Sequence, residues 1–196
     1  MRSFLAMVER QYPEELVRIR APVRCELDIT ATVFELERAG RSPVVIFENI
    51  EGFDMPVVTN LAGNRRLIAA SMGVDPSALA TTFRERCQDY RPVERVECAP
   101  WQERVIEGED VDLTKLPIPT HFAVDAAPYI TAGQICARDG MGAILDPTSD
   151  PVDNTLTKVG VDATKPGGAD FAERLTIADE QRARVRSMLA ASGIRI

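Results

Sequence analysis

Ile29, Val33 and Leu36 recur at i, i+4 and i+7, the spacing of one helix face, so residues 28–39 are predicted to be helical. Gly40 follows where a helix C-terminus favours a left-handed residue. Residues 43–47 form a continuous apolar run of strand length, the pattern of a strand buried on both faces in a sheet flanked by helices. Residues 56–59 are its predicted neighbour. Upstream, residues 3–11 suit a short helix, and Leu16, Val17 and Ile19 place a strand at 15–19 that ends by Pro22. Downstream, two helices are predicted: 65–72, closed by Gly73, and 77–88, opened by Asp75 as N-cap with Pro76 in its first turn. This alternation implies an α/β (α+β) layer fold.

The pattern then changes. Val93, Val96, Val105 and Ile106 give residues 91–109 a β character, residues 116–119 (LPIP) suit an irregular but anchored connection, and 129–137 is a further predicted strand. Residues 139–142 (DGMG) begin a stretch, most marked at 146–168, that is rich in Pro, Gly and Asp and has the composition of a linker or extended arm. Order is expected to return at the C-terminus. Residues 176–179 have capping-box spacing, and Val185, Met188 and Leu189 form an apolar stripe before Gly193. The chain thus divides into a body at 1–138 and an arm with a terminal helix at 139–196. So short a helix needs a surface to pack on, and a second polypeptide meeting residues 146–196 is the expectation.

Composition narrows the function classes. In 196 residues, 45% are apolar, enough for one domain with a core. A net charge of -7 argues against nucleic acid or an anionic membrane as partner. The longest basic cluster, Arg182, Arg184 and Arg186, is expected to be the solvated face of the terminal helix. No run approaches the ~20 apolar residues of a membrane span, and the first residues meet a charge too early for a signal peptide, so a cytoplasmic location is expected. Cys25, Cys87, Cys98 and Cys136 are scattered and read as reduced, mostly buried thiols; with a single histidine they offer no metal set.

Catalytic equipment is sparse. No nucleophile elbow, P-loop, dinucleotide fingerprint or zinc-protease motif is present. His121, the only histidine, would have to serve any nucleophile-plus-base chemistry; in its Pro-rich setting it reads as a hydrogen-bonded packing residue. Glu48, Glu51 and Asp54 around Gly52 could meet a cation or form a solvated loop. Asn64, Arg65 and Arg66 sit at a predicted helix start, where backbone N–H groups and guanidinium groups can hold an anion; pairing of the arginines with local acids is the alternative.

Three blocks carry a family resemblance. Residues 47–66 (FENIEGFDMPVVTNLAGNRR) resemble the N-terminal domain of the UbiD family of prenylated-FMN (de)carboxylases. Residues 111–133 (VDLTKLPIPTHFAVDAAPYITAG) resemble the segment by which that family enters its cofactor domain, and 158–166 (KVGVDATKP), preceded by LDP at 145–147, resembles a motif near its C-terminus. The blocks stand in the family's order, yet the family's members are more than twice as long. Between Arg138 and Asp146 the chain passes almost directly to the C-terminal motif, where the family carries a split β-barrel with its flavin, metal and acid/base residues.

The resemblance therefore implies no catalytic and no metal residue on this chain. Thr131 and Gly133, on the entering strand, are the substrate-pocket candidates it leaves. In the family, loss of CO2 from an aromatic or α,β-unsaturated acid leaves a carbanion, which the modified flavin stabilises while the protein orients the substrate and moves the proton. The expectation is a subunit of a UbiD-like carboxy-lyase, inactive alone, with prenylated FMN and its Mn and K ions held by a UbiD-like catalytic partner chain. A scaffold or regulatory relative of such an enzyme, self-association through 146–196, and a small independent binding protein are the alternatives.

Overall fold

A computed structural model describes residues 1–89, 92, 94–99, 102–123, 125, 127–130, 137–138, 144–145 and 177–196, with main chain only at 137–138 and 144–145. Its body is three layers. β1 (Leu16–Ile19) and β2 (Val44–Phe47) pair in parallel, Leu16 opposite Val44 and Ile19 opposite Phe47. The crossover that parallel pairing requires is α2 (Asp28–Arg38). β3 (Val57–Thr59) adds antiparallel to the other side of β2, Val45 facing Thr59.

Strand β2 is buried at all four positions because helices cover both sheet faces. On one face Val17, Ile19, Val45 and Phe47 pack with Ile29 and Leu36 of α2. On the other, Val44 packs with Val8 of α1 (Arg2–Gln11) and Leu67 of α3 (Arg65–Ser71). Gly40 takes φ +74° after α2, the left-handed conformation expected of it.

The last helix, α5 (Asp179–Ala191), completes the first of these cores; α4 (Leu79–Gln88) precedes it in the chain. Val185 and Leu189 are buried among Ile29, Leu36, Phe47 and Ile50. The surface that this helix needs is thus α2 of its own chain; residues 146–176 lie outside the described residues.

The contact is also polar, which corrects the reading of the arginine cluster as a solvated face. Asp28 and Glu35, seven residues apart and so on one face of α2, are both buried. Arg182 Nε donates to Glu35 at 2.8 Å and Arg186 Nε at 2.5 Å. Arg184 reaches Asp28 at 2.9 Å, joined there by Arg24 and the Gln181 amide. Buried carboxylates need partners of this kind.

Burial alone pushes the Glu35 carboxyl up, but the hydrogen bonds and charge of Arg182 and Arg186 outweigh it and hold it below the usual glutamate range. A lowered folded value means that the stabilisation is fully present above the unfolded value of about 4.3 and is lost as pH falls through the folded one. Urea titrations of the wild type and Glu35→Gln from pH 7 to 3 should therefore show a stability gap that narrows below about pH 4.3. A gap that stays constant with pH would remove Glu35 from this role.

Other expectations are corrected. Helix α4 starts at Leu79, not Ser77, because the Asp75 carboxylate accepts from Ser77 N at 2.8 Å and from its hydroxyl, closing a turn before the helix. No strand forms among the described residues of 91–109; Gly108–Asp110 is a single 3-10 turn. Tyr129 and Ile130 are not in a strand either, while residues 131–136 of the predicted strand lie outside the described residues; β4 (Ala137–Arg138) pairs antiparallel with β5 (Ile144–Leu145). Cys87 and Cys98 are exposed, against the expectation of buried thiols. Cys25 is part-buried, which pushes its thiol up, and Cys136 lies outside the described residues.

Candidate functional site

The 116–119 segment is anchored as its prolines suggest. Pro117 and Pro119 are buried, and Thr120 N donates to Cys25 O while Leu27 N donates to Thr120 O, fastening the segment beside the start of α2. Between this segment and β3 lies a cleft of about 330 Å³, lined by Ile29, Met55, Val57, Pro119, His121 and Tyr129 among others. Its walls are chiefly apolar, and its volume is in the range that takes a small organic ligand.

His121 is fully engaged. Its Nε2 faces the Tyr129 carbonyl at 3.2 Å, and a carbonyl only accepts, so Nε2 donates. Its Nδ1 lies 2.8 Å from the Thr30 hydroxyl. Neither ring nitrogen is left for a reacting group. The histidine staples α2 to the loop, and the Asp125 carboxylate secures that loop by accepting from the His121 and Phe122 N–H groups. The Tyr129 ring packs against the imidazole, tilted by 50° with centroids 4.6 Å apart. Burial, assisted by the charge of Asp125, pushes its phenol up, so it stays protonated at neutral pH.

The anion-site candidates sit elsewhere. Asn64 caps α3, its side-chain oxygen accepting from Arg66 N at 3.0 Å. Arg66 pairs with Glu14 at 3.4 Å and lies over the Tyr12 ring, while Arg65 Nε donates to Pro76 O. An anion there would have to compete with Glu14 for Arg66. The loop before α3 is set by Asn60, at φ +59°, whose Nδ2 donates to Pro43 O at 2.8 Å. Gly63 is required beside it, because a Cβ there would run into the Asn60 amide.

The acidic trio does not converge. Glu48 pairs with Arg18 at 3.0 Å and Arg20 at 3.1 Å, and Glu51 faces Arg184. Among the described residues no group of three or more His, Cys, Asp or Glu could hold a metal ion. Thr131 and Gly133 lie outside the described residues, as does Trp101. The cleft itself was not singled out by sequence reasoning, since its walls come from three separate stretches, each resembling ordinary core or loop.

Comparison with known proteins accounts for the sheet and for the Pro-rich segment. Residues 9–87 match the family model of the 3-octaprenyl-4-hydroxybenzoate carboxy-lyase N-terminal domain, and residues 93–144 match that of the same enzyme's Rift-related domain. The chain belongs to the UbiD family. A solved UbiD-class enzyme, HmfF from Pelotomaculum thermopropionicum in complex with prFMN, is 37% identical, with a TM-score of 0.58 over 74% of this chain and 33% of that one. Vanillic acid decarboxylase from Sedimentibacter hydroxybenzoicus is 30% identical, with a TM-score of 0.56 over 71% of this chain and 31% of that one. The 3,4-dihydroxybenzoic acid decarboxylase of Klebsiella pneumoniae, 21% identical with a TM-score of 0.58, supports the fold alone. This UbiD-family chain spans about a third of the length of the first two relatives.

The family cofactor does not fit the cleft. The phosphate of a flavin mononucleotide calls for guanidinium, ammonium or clustered N–H donors, and the lining residues include no Lys or Arg. Its one imidazole is committed on both sides. No helix among the described residues is long and apolar enough to cross a membrane.

Proposed function

We propose that this chain is a subunit of a UbiD-like (de)carboxylase acting on an aromatic or α,β-unsaturated carboxylic acid, with the flavin-binding catalytic domain carried by a partner chain. The observation that carries this reading is a body closed by its own terminal helix but continued by only residues 93–144 of Rift-related sequence. Almost every described residue of 94–115 is exposed. The terminal helix covers the body's core, whereas Ala99 is the sole buried residue described between 94 and 115.

In decarboxylation the C–CO2 bond breaks, its electron pair stays on the substrate carbon, and a proton arrives there. His121 and Tyr129 are poorly suited to deliver that proton, the first because both nitrogens are engaged and the second because burial makes its phenol a still weaker acid. What this chain supplies is shape: an anchored Pro-rich segment and an apolar cleft, suited to the ring of an acid whose carboxylate is handled elsewhere. Expressed alone with a flavin prenyltransferase, the chain should purify colourless and inactive on aromatic acids. Co-expressed with the UbiD-family chains of its own genome, it should yield a yellow complex that releases CO2. Stoichiometric flavin on the lone chain would overturn this reading.

The cleft supports one second reading, a small binding protein for an apolar or aromatic ligand, since it is formed within this chain alone. Ligand-induced stabilisation of the colourless monomer, with no complex formed, would favour it.

A further inference from the structure

Apolar exposure is concentrated in one place. Among the described residues, five of the eleven large apolar side chains left exposed are Val96, Val105, Ile106, Val111 and Leu113, all within residues 94–115. Ala99 is the sole buried residue described there. A run this exposed is a surface awaiting cover, not part of the body's core.

Its main chain is also uncommitted. Among the described residues no main-chain hydrogen bond involves residues 104–106, although Val105 and Ile106 are strong strand formers. Strand-prone backbone with unpaired N–H and C=O groups is what an edge of another sheet can take up.

Charge selects the occupant. Residues 94–115 carry seven acidic against three basic side chains. A second copy would bring the same acidic surface to an isologous contact. Residues 146–176 of this chain, with six acidic against three basic side chains, bring like charge as well. Like charges facing each other oppose association, and a basic rim favours it.

We propose that residues 94–115 are the docking strap for a different polypeptide, a UbiD-family chain carrying the rest of the Rift-related domain. That chain presents a sheet edge and an apolar strip with a basic rim. The inference rests on the subunit reading and specifies which surface carries it.

The test is hydrogen exchange on this chain, alone and co-purified with each UbiD-family chain of its genome, together with affinities for Val105→Asp, Ile106→Asp and the control Phe83→Asp. All three side chains are exposed, so the variants should unfold at the wild-type temperature. The expected result is at least tenfold slower exchange at 104–106 in the complex. Affinity should fall at least tenfold for the two strap variants, not for the control, and should weaken with salt. A complex with no protection at 104–106 and full affinity in both strap variants would overturn the strap while leaving the subunit reading standing. Failure to form a complex with any such chain would end both. Protection in the chain alone would also overturn the proposal, assigning the strap to self-association if concentration-dependent and to residues 146–176 if not.

Discussion

Removing residues 177–196 should abolish the cooperative unfolding transition of this protein. Helix α5 looks like an appendage in the chain order, but Val185 and Leu189 are 1% and 0% exposed, and they cover Ile29, Leu36 and Phe47. Burying a Val or Leu side chain is worth about 1.5–3 kcal/mol, and the deletion also exposes the apolar side chains beneath. The loss is comparable with the ~5–15 kcal/mol total stability of a small domain. Single substitutions separate the apolar from the ionic share of the contact. Leu189→Ala should cost about 2–5 kcal/mol through the lost contacts and the cavity. Arg184→Ala should cost less, because Arg24 and Gln181 still reach Asp28 and because desolvation offsets much of the attraction in such pairs. Urea unfolding checks both. An unchanged midpoint in the truncated chain would show that α5 is dispensable to the body.

Gly63→Ala should be the most damaging single-methyl change, at about 2–4 kcal/mol, from overpacking combined with a strained or broken hydrogen bond. The added Cβ meets the Asn60 side chain, which cannot swing away without giving up its 2.8 Å bond to Pro43 O. Asn60 is itself at φ +59°, so glycine is the substitution that removes the side chain without backbone strain. In the Asn60→Gly background the same Gly63→Ala change should therefore cost little, a coupling that a double-mutant cycle measures directly. Equal cost in both backgrounds would mean that the Asn60 contact is not the cause. The family-like sequence TNLAGN at 59–64 is thus explained by loop geometry before any ligand is invoked.

Much of the fold was legible because its signals are local. The i, i+4, i+7 spacing at Ile29, Val33 and Leu36 and the apolar run at 43–47 placed α2 and β2, and burial of β2 on both faces followed from that run. The signals that failed were those whose partner is distant or missing. Asp28 and Glu35 share the face of α2 that carries Ile29 and Leu36, a visible oddity. Their arginines stand about 150 positions away, so the cluster at 182–186 looked like a solvent face. Residues 105–106 have strand-forming side chains, but a strand needs an edge to pair with, and among the described residues none pairs with them. At Asp75 the side chain capped a turn in competition with the helix it was expected to cap.

The site was less legible than the fold. Each wall of the cleft belongs to a stretch that by itself looks structural, and only folding brings Met55, Pro119 and Tyr129 around one space. His121 stood out by composition, and geometry makes it a staple between Thr30 and Tyr129 O. Family membership was readable from the motifs at 47–66 and 111–133 because they encode turns and a Pro-rich anchor that the body cannot replace.

The subunit reading is tested most directly by the intact mass and absorption spectrum of the material that co-purifies with the tagged chain from its native host under gentle conditions. The expected result is a defined complex of this chain with a larger UbiD-family chain, carrying flavin. A lone or self-associated colourless chain would contradict it and turn attention to what the apolar cleft binds.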